Sequence, residues 1–183
     1  MTPLRSYRQH FPRLGQRVYV DEAARVIGDV ELGDDVSVWP FTVIRGDVNV
    51  VRIGARSNIQ DGAVIHVSHD GPHAKLGGFA THIGQDVTIG HKAIVHACRL
   101  GDACLIGMGA IVLDGAVVET HGFLGAGALL SPGKTVGAGE LWLGNPARFA
   151  RRLSDAEIDA LHYSAGHYVR LKDDYLRGLA GST

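Results

Sequence analysis

Residues 100–136 read LGDACLIGMGAIVLDGAVVETHGFLGAGALLSPGKTV, and every sixth residue of this stretch is a large aliphatic one. A period of six matches neither the roughly 3.6-residue turn of a helix nor the two-residue alternation of a simple strand. The spacing extends back to Val20 and forward to Trp142, with Val, Ile or Leu at 18 of 19 positions, so the chain is an internal hexapeptide repeat. The positions are Val20, Val26, Leu32, Val38, Ile44, Ile53, Ile59, Ile65, Ile83, Ile89, Val95, Leu100, Ile106, Val112, Val118, Leu124, Leu130, Val136 and Trp142.

The hexapeptide period predicts a parallel β-helix. Each hexapeptide supplies a short strand and a corner, so three of them form one triangular coil of about 18 residues. The aliphatic side chains point inward, and the many glycines suit corners that need a positive φ. A flat antiparallel sheet would instead show hairpin signals at irregular spacing, which this stretch lacks. Periodicity does not set the hand of the coil, although the usual crossover rule favours right-handed connections.

Two insertions interrupt the series at the same predicted corner. Three extra residues separate Ile44 from Ile53, and twelve separate Ile65 from Ile83. Loops that leave one edge of a repetitive scaffold are common places for function. We therefore expect the functional residues to lie at this edge of the prism.

The repeat stops near Pro146, and the pattern after it favours a helix. The sequence SDAE at 154–157 is typical of a capping box. We predict a β-helix domain over residues 1–150 and a C-terminal helix over 151–183 that packs on the prism as a scaffold element. The polar and small residues at 164–166 predict an interruption of that helix.

Composition excludes several classes of protein. The 183 residues fit one domain, and 25 glycines without a proline excess, together with 45% hydrophobic content, exclude collagen and disorder. With 18 basic and 19 acidic residues, no long-range field attracts nucleic acid. The absence of a signal peptide or a long apolar run predicts a cytoplasmic protein without membrane contact. Cys98 and Cys104 are too few for a disulfide framework and are expected in the core.

Three histidines have the spacing of a metal site. His66 follows Ile65 and His96 follows Val95, so once the twelve-residue insertion is subtracted they occupy one corner on adjacent coils, about 4.8 Å apart. His91 lies at the preceding corner, too far to join them within one chain. Three prisms around a threefold axis would bring His91 of one chain to the other two histidines of its neighbour. The alternative is that the three side chains are simply solvated.

The same segments resemble the gamma-class carbonic anhydrases. RGD at 45–47, SNIQDGAVIH at 57–66 and IGHKAIVH at 89–96 are similar to motifs of that family. The resemblance implies a left-handed β-helix assembled as a homotrimer. It also implies Zn²⁺, or Fe²⁺ or Co²⁺, held by His66, His91 and His96 at subunit interfaces.

The resemblance further implies reversible hydration of CO₂ to bicarbonate by a metal-bound hydroxide. Gln60 would orient the hydroxide or hold bicarbonate, and Arg45 and Asp61 would pair across the interface. Asn58 and Asp47 also match family positions. Asn58 could equally be a corner residue with an unusual φ, Asp47 a turn residue, and the Arg45–Asp61 pair purely structural.

The proton shuttle of the family is not matched. Val48 follows the RGD aspartate where the family carries a glutamate, and the loop 67–82 contains no glutamate. His69 and His73 in that loop are the candidates for proton transfer near neutral pH, and the alternative is that they are simply solvated loop residues. Three alternatives to a carbonic anhydrase remain: an acyl- or acetyltransferase, a CoA-thioester hydrolase, and a catalytically weak metal-binding trimer.

Overall fold

A computed structural model describes residues 2–72 and 77–180. It is a left-handed parallel β-helix with three faces and one C-terminal helix, as the repeat and the resemblance predicted. The first face holds β1 (Leu4–Arg5), the first halves of β4 (Arg25–Leu32) and β6 (Val43–Ile53), β8 (Val64–His66), β11 (Ile94–His96), β14 (Ile111–Val112) and β17 (Leu129–Leu130). The second holds β2 (Arg13–Leu14), the second halves of β4 and β6, β9 (Thr81–Ile83), β12 (Arg99–Leu100), β15 (Val117–Val118) and β18 (Thr135–Val136). The third holds β3 (Tyr19–Val20), β5 (Ser37–Val38), β7 (Asn58–Ile59), β10 (Thr88–Ile89), β13 (Leu105–Ile106), β16 (Phe123–Leu124) and β19 (Glu140–Gly144).

The core of the prism is the column of aliphatic residues that the repeat identified. Ile44, Ile65 and Val95 stack in register on the first face, and each is completely buried. Cys98 and Cys104 are unpaired and buried in the same core, as predicted, and burial raises the pKa of the Cys104 thiol to about 12. At the C-terminal end, β20 (Ala147–Arg152) pairs antiparallel with β19.

The prism begins earlier than the predicted series. Leu4 of β1 pairs with Val26, and Leu14 of β2 pairs with Leu32, so both strands add a rung before Val20. Leu14 lies six residues before Val20 and continues the period by one step, so β2 was missed although its signal was present. Leu4 lies ten residues before Leu14, and this irregular spacing hides β1 from a search for hexapeptides.

The corner that carries the insertions is partly extended. The three-residue insertion was expected as a loop, but β4 and β6 run through the corner as continuous strands, with a register shift between Gly28 and Val30. Gly28 has a φ of 82°, and a Cβ there would lie 2.3 Å from the carbonyl oxygen of Gly46, so no other residue fits. Because β6 pairs with both β8 and β9, both insertions leave from one corner, as predicted.

The C-terminal helix, α1 (Asp155–Ala180), packs on the third face of the prism. The predicted capping box is confirmed: the Ser154 backbone N–H donates to Glu157 Oε2 at 2.9 Å, and the Glu157 N–H donates to Ser154 Oγ at 3.4 Å. The predicted interruption at 164–166 is wrong. Ala165 is buried, and Ser164 Oγ lies 3.2 Å from Thr88 Oγ1, so small side chains here let the helix approach the prism closely.

Further along α1, a buried charge and aromatic rings fix the helix. Lys172 is completely buried, with its Nζ 2.9 Å from Asp35 Oδ1. The ring of Trp39 lies 5.6 Å from that of Tyr168 and 5.1 Å from that of Tyr175, centroid to centroid. No helix in the described part of the chain is long and apolar enough to cross a membrane. The division of the chain into two domains stays a prediction.

Candidate metal centre

Two histidines lie side by side at the corner that ends the first face. His66 closes β8, His96 closes β11, and the two residues are register partners in the sheet. Their rings face each other, with 3.1 Å between His66 Nδ1 and His96 Nε2. The predicted stacking on adjacent coils is therefore observed.

The outer nitrogen of each ring contacts a carboxylate. His66 Nε2 lies 3.2 Å from Asp47 Oδ1, and His96 Nδ1 lies 2.6 Å from Asp114 Oδ1. Histidines that bind metals usually place their second ring nitrogen against such a partner, which fixes the tautomer and the ring orientation. This arrangement directs His66 Nδ1 and His96 Nε2 toward each other.

Asp114 is a residue of this centre that the sequence analysis missed. It lies at the same corner one coil further along the prism, one residue after Leu113, which is the register equivalent of His96 because Val95 pairs with Val112. Extending the column of His66 and His96 by one coil therefore reaches Leu113 and not Asp114. The only signal in the sequence was an acidic residue next to that position.

The observed spacing fits a divalent ion. Metal–nitrogen bonds of about 2.0–2.1 Å place two coordinated nitrogens about 3.0–3.4 Å apart, which includes the observed 3.1 Å. Coordination also needs neutral imidazole. Burial lowers the pKa of His66 below its ordinary value, and the nearby charge of Arg45 acts in the same direction, while Asp47 opposes both. The donor set and its electrostatics therefore suit a metal.

Arg45 supports Asp47 within the same chain. The Arg45 guanidinium donates to Asp47 Oδ2, and the Val48 backbone N–H donates to Oδ1 at 2.9 Å. Burial alone would raise the pKa of Asp47, but hydrogen bonds from Arg45 and His66 outweigh it and hold the pKa below its usual range. Asp47 thus contacts both His66 and Arg45, and because it lies within β6, its alternative role as a turn residue is wrong.

His91 lies at the other end of the first face. Its Nδ1 is 2.9 Å from Asp61 Oδ2. Within this chain Arg45 contacts Asp47, and the pair expected between Arg45 and Asp61 across an interface stays a prediction. In residues 2–72 and 77–180, no group of three or more His, Cys, Asp or Glu side chains could hold an ion. A single chain therefore brings together His66 and His96 but not His91.

Between the two corners, the first face presents an apolar stripe to the outside. Val64 is 37% exposed and Ile94 is 38% exposed, although both lie in the middle of a sheet. The residues that share this outward register are Val43, Val64, Ile94, Ile111 and Leu129. Apolar side chains aligned in this way favour a protein–protein contact.

Gln60 and Asn58 form a polar chain on the third face. Gln60 Nε2 donates to Asn58 Oδ1 at 3.1 Å, and Asn58 Nδ2 donates to Thr88 Oγ1 at 3.0 Å. Asn58 lies in β7 and is completely buried, so its alternative role as a corner residue with unusual φ is wrong; the positive φ, 59°, belongs to Arg56. Gln60 borders a pocket of about 290 Å³ that also reaches Ser164.

The two loop histidines belong to the second insertion. His69 is exposed, and His73 lies outside the described residues. The Asn49 amide donates to the carbonyl oxygens of Ser68 (3.2 Å) and Gly77 (3.0 Å), which ties the first insertion to the second. Proton transfer by either loop histidine stays a prediction.

The fold and the histidine pair define a hexapeptide-repeat protein with a candidate metal centre, and comparison with known proteins shows which family it is similar to. No protein-family model matches the chain. The chain is 52% identical over 173 residues to protein YrdA of Escherichia coli, with 94% of each chain covered. It is 46% identical over 160 residues to mitochondrial gamma carbonic anhydrase 1 of Arabidopsis thaliana, with 87% of this chain and 58% of that protein covered.

Two further relatives show which family the chain belongs to. A probable carbonic anhydrase of Methanocaldococcus jannaschii is 40% identical over 160 residues, with 87% and 96% coverage. The crystal structure of a hexapeptide transferase family protein from Anaplasma phagocytophilum has a TM-score of 0.86 at 43% identity and covers 94% of this chain and 97% of its own. The chain belongs to the gamma carbonic anhydrase-like family of hexapeptide-repeat proteins.

Proposed function

We propose that this protein is a metal-dependent carbonic anhydrase-like lyase that hydrates CO₂ reversibly to bicarbonate at sites between the subunits of a homotrimer. The observation that carries the proposal is the pair formed by His66 and His96. Its inner nitrogens are 3.1 Å apart, and its outer nitrogens contact Asp47 and Asp114. Two oriented imidazoles of this kind are suited to bind a transition metal ion.

His66 and His96 of one chain and His91 of its neighbour would hold Zn²⁺, or Fe²⁺ or Co²⁺, which share the preference for imidazole. The ion supplies a Lewis acid that makes water nucleophilic near neutral pH. Three protein donors leave a coordination position open, as catalysis requires.

A trimer would complete the donor set. The first face carries His91 at the corner where its strands begin and His66 and His96 at the corner where they end. Three copies that turn this face toward a common axis bring the beginning of one face to the end of the next. The apolar stripe then lies in the contact, which buries Val64 and Ile94 away from water.

The chain's own residues prepare the site in distinct ways. Asp47 and Asp114 fix the orientation of His66 and His96, and Arg45 holds Asp47 ionised. Asp61 occupies Nδ1 of His91, which leaves Nε2 of that ring for the partner. Gln60, held by Asn58, would donate a hydrogen bond to an oxygen of the substrate.

Acyl transfer is the second candidate, because the Anaplasma relative carries a transferase family name. Acyl transfer of this type uses a histidine as a general base and does not need three histidines around an ion. A CoA-thioester hydrolase could use the same metal centre. Metal content and CO₂ hydration, measured together with acetyl-CoA consumption, distinguish these functions.

The decisive experiment is subunit complementation. We expect His91→Ala and His96→Ala each to lose the bound metal and the hydration activity, while the exposed His167→Ala retains both. Mixed trimers of the two inactive variants should regain about a quarter of the sites, because random pairing unites intact donors at that frequency. Failure of the mixture to regain metal would contradict a shared site. Full metal with no hydration would favour the thioester hydrolase or the weak metal-binding trimer.

A further inference from the structure

A second histidine pair lies far from the candidate metal centre. His121 occupies a corner of the prism, and His162 lies on α1, 41 residues away in sequence. Their Nε2 atoms are 3.1 Å apart, their ring centroids are 5.0 Å apart, and the ring planes meet at 73°. Neither residue belongs to a motif used in the proposed function.

Each histidine is positioned by its own element. His121 has a φ of 59°, and its backbone N–H donates to the carbonyl oxygen of Asp102 at 3.0 Å. His162 follows Leu161, which is buried against the prism, and precedes Ser164, whose hydroxyl contacts Thr88. The two rings are therefore brought together by the docking of the helix.

We propose that His121 and His162 form a second metal site, a two-histidine chelate for a divalent transition ion such as Cu²⁺, Ni²⁺ or Zn²⁺. An ion about 2.05 Å from both Nε2 atoms subtends an angle of about 98° between them, given their separation of 3.1 Å. This angle lies between the octahedral and tetrahedral ideals, and imidazole suits all three ions.

The chemistry of the site follows from its donors. Without an ion, the N–H at one Nε2 donates a hydrogen bond to the other Nε2. Coordination through both Nε2 atoms needs both rings in the tautomer that carries its proton on Nδ1, so binding would require a tautomer shift. In the described part of the chain, no third His, Cys, Asp or Glu completes the site, so water fills the remaining positions. The affinity of this site for the ion is therefore lower than that of a three-histidine centre. A bound ion links α1 to the prism, because one donor lies on each.

The test is a Cu²⁺ titration of the full chain and its variants, followed by electron paramagnetic resonance. His162→Gln removes the helix donor, and His121→Asn removes the corner donor with a residue that tolerates positive φ. His167→Gln is the matched control, because it changes an exposed histidine on the same helix. We expect the wild type and His167→Gln to bind one more ion per chain than the other two variants, with a spectrum of two imidazole nitrogens.

A second readout follows the helix. Zn²⁺ should slow hydrogen exchange of α1 amides in the wild type and in His167→Gln but not in His162→Gln. Equal stoichiometry in all four proteins, with or without a change in exchange, would overturn the proposal and leave the pair as an N–H···N hydrogen bond. Because the measured quantity is the difference between variants, the result does not depend on whether His66, His91 and His96 bind metal.

Discussion

The two histidine pairs have the same nitrogen separation, 3.1 Å, but different supports. His66 and His96 sit on paired strands of one sheet, and a carboxylate lies behind each ring. His121 and His162 join a prism corner to a helix, so their proximity depends on how α1 docks. The comparison teaches that the register of the repeat builds the first pair, with one supporting carboxylate supplied by the first insertion, whereas tertiary packing alone builds the second.

The largest expected effect comes from loosening α1. Trp39 is almost completely buried and contacts the rings of Tyr168 and Tyr175. We expect Trp39→Ala to lower the free energy of unfolding by about 3–5 kcal/mol, because it leaves a cavity under the helix. The helix amides should exchange faster, and the His121–His162 site should lose its extra ion, while the first pair keeps its geometry. Denaturant unfolding, hydrogen exchange and metal titration measure these three effects.

Phe41→Ala is the control for Trp39→Ala, since Phe41 is an aromatic residue of the same region and is 73% exposed. Its effect on unfolding should stay within about 0.5 kcal/mol. If Trp39→Ala released the ion of the first pair as readily as that of the second, the two pairs would not be independent.

Much of the first pair was predictable because one period fixes both side-chain direction and register. Counting hexapeptides was enough to place His66 beside His96. One further coil reaches Leu113, so Asp114, the next residue, was not predicted. The second pair was not predictable, since the position of His162 over the prism depends on contacts such as Ser164–Thr88. The same limit explains the helix break wrongly expected at 164–166, where small residues pack on the prism. Strand β1 was missed because Leu4 lies ten residues before Leu14, whereas β2 could have been found, because Leu14 lies six residues before Val20.

The second-largest expected effect is on metal affinity and comes from Asp114, the carboxylate that contacts His96. Asp114→Asn keeps the size of the side chain but removes the charge that holds the ring at 2.6 Å. We expect the affinity of the first centre for Zn²⁺ to fall by about 10–100-fold, as substitutions behind metal-bound histidines commonly do. Competition with a chromophoric chelator measures the change. Asp155→Asn, an exposed carboxylate at the start of α1, should leave the affinity unchanged, and an equal loss in both variants would count against an orienting role for Asp114.

The smallest effect is the pH dependence of the metal-free protein. Burial, assisted by the charge of Arg45, lowers the pKa of His66 in the folded state, although Asp47 opposes it. The unfolded chain keeps an imidazole pKa of about 6.5, so it takes up the proton first as the pH falls. Stability contributed by the neutral ring is therefore fully present above that value and is lost as the pH falls through the folded pKa. Nuclear magnetic resonance titration of the ring should give a midpoint below that of an unfolded fragment, and Asp47→Asn should lower it further, because the variant removes an acceptor and a negative charge while Arg45 remains. A midpoint that rises in Asp47→Asn would contradict the stabilisation of the protonated His66 ring by Asp47, and with it the difference between a first pair held by carboxylates and a second pair without them.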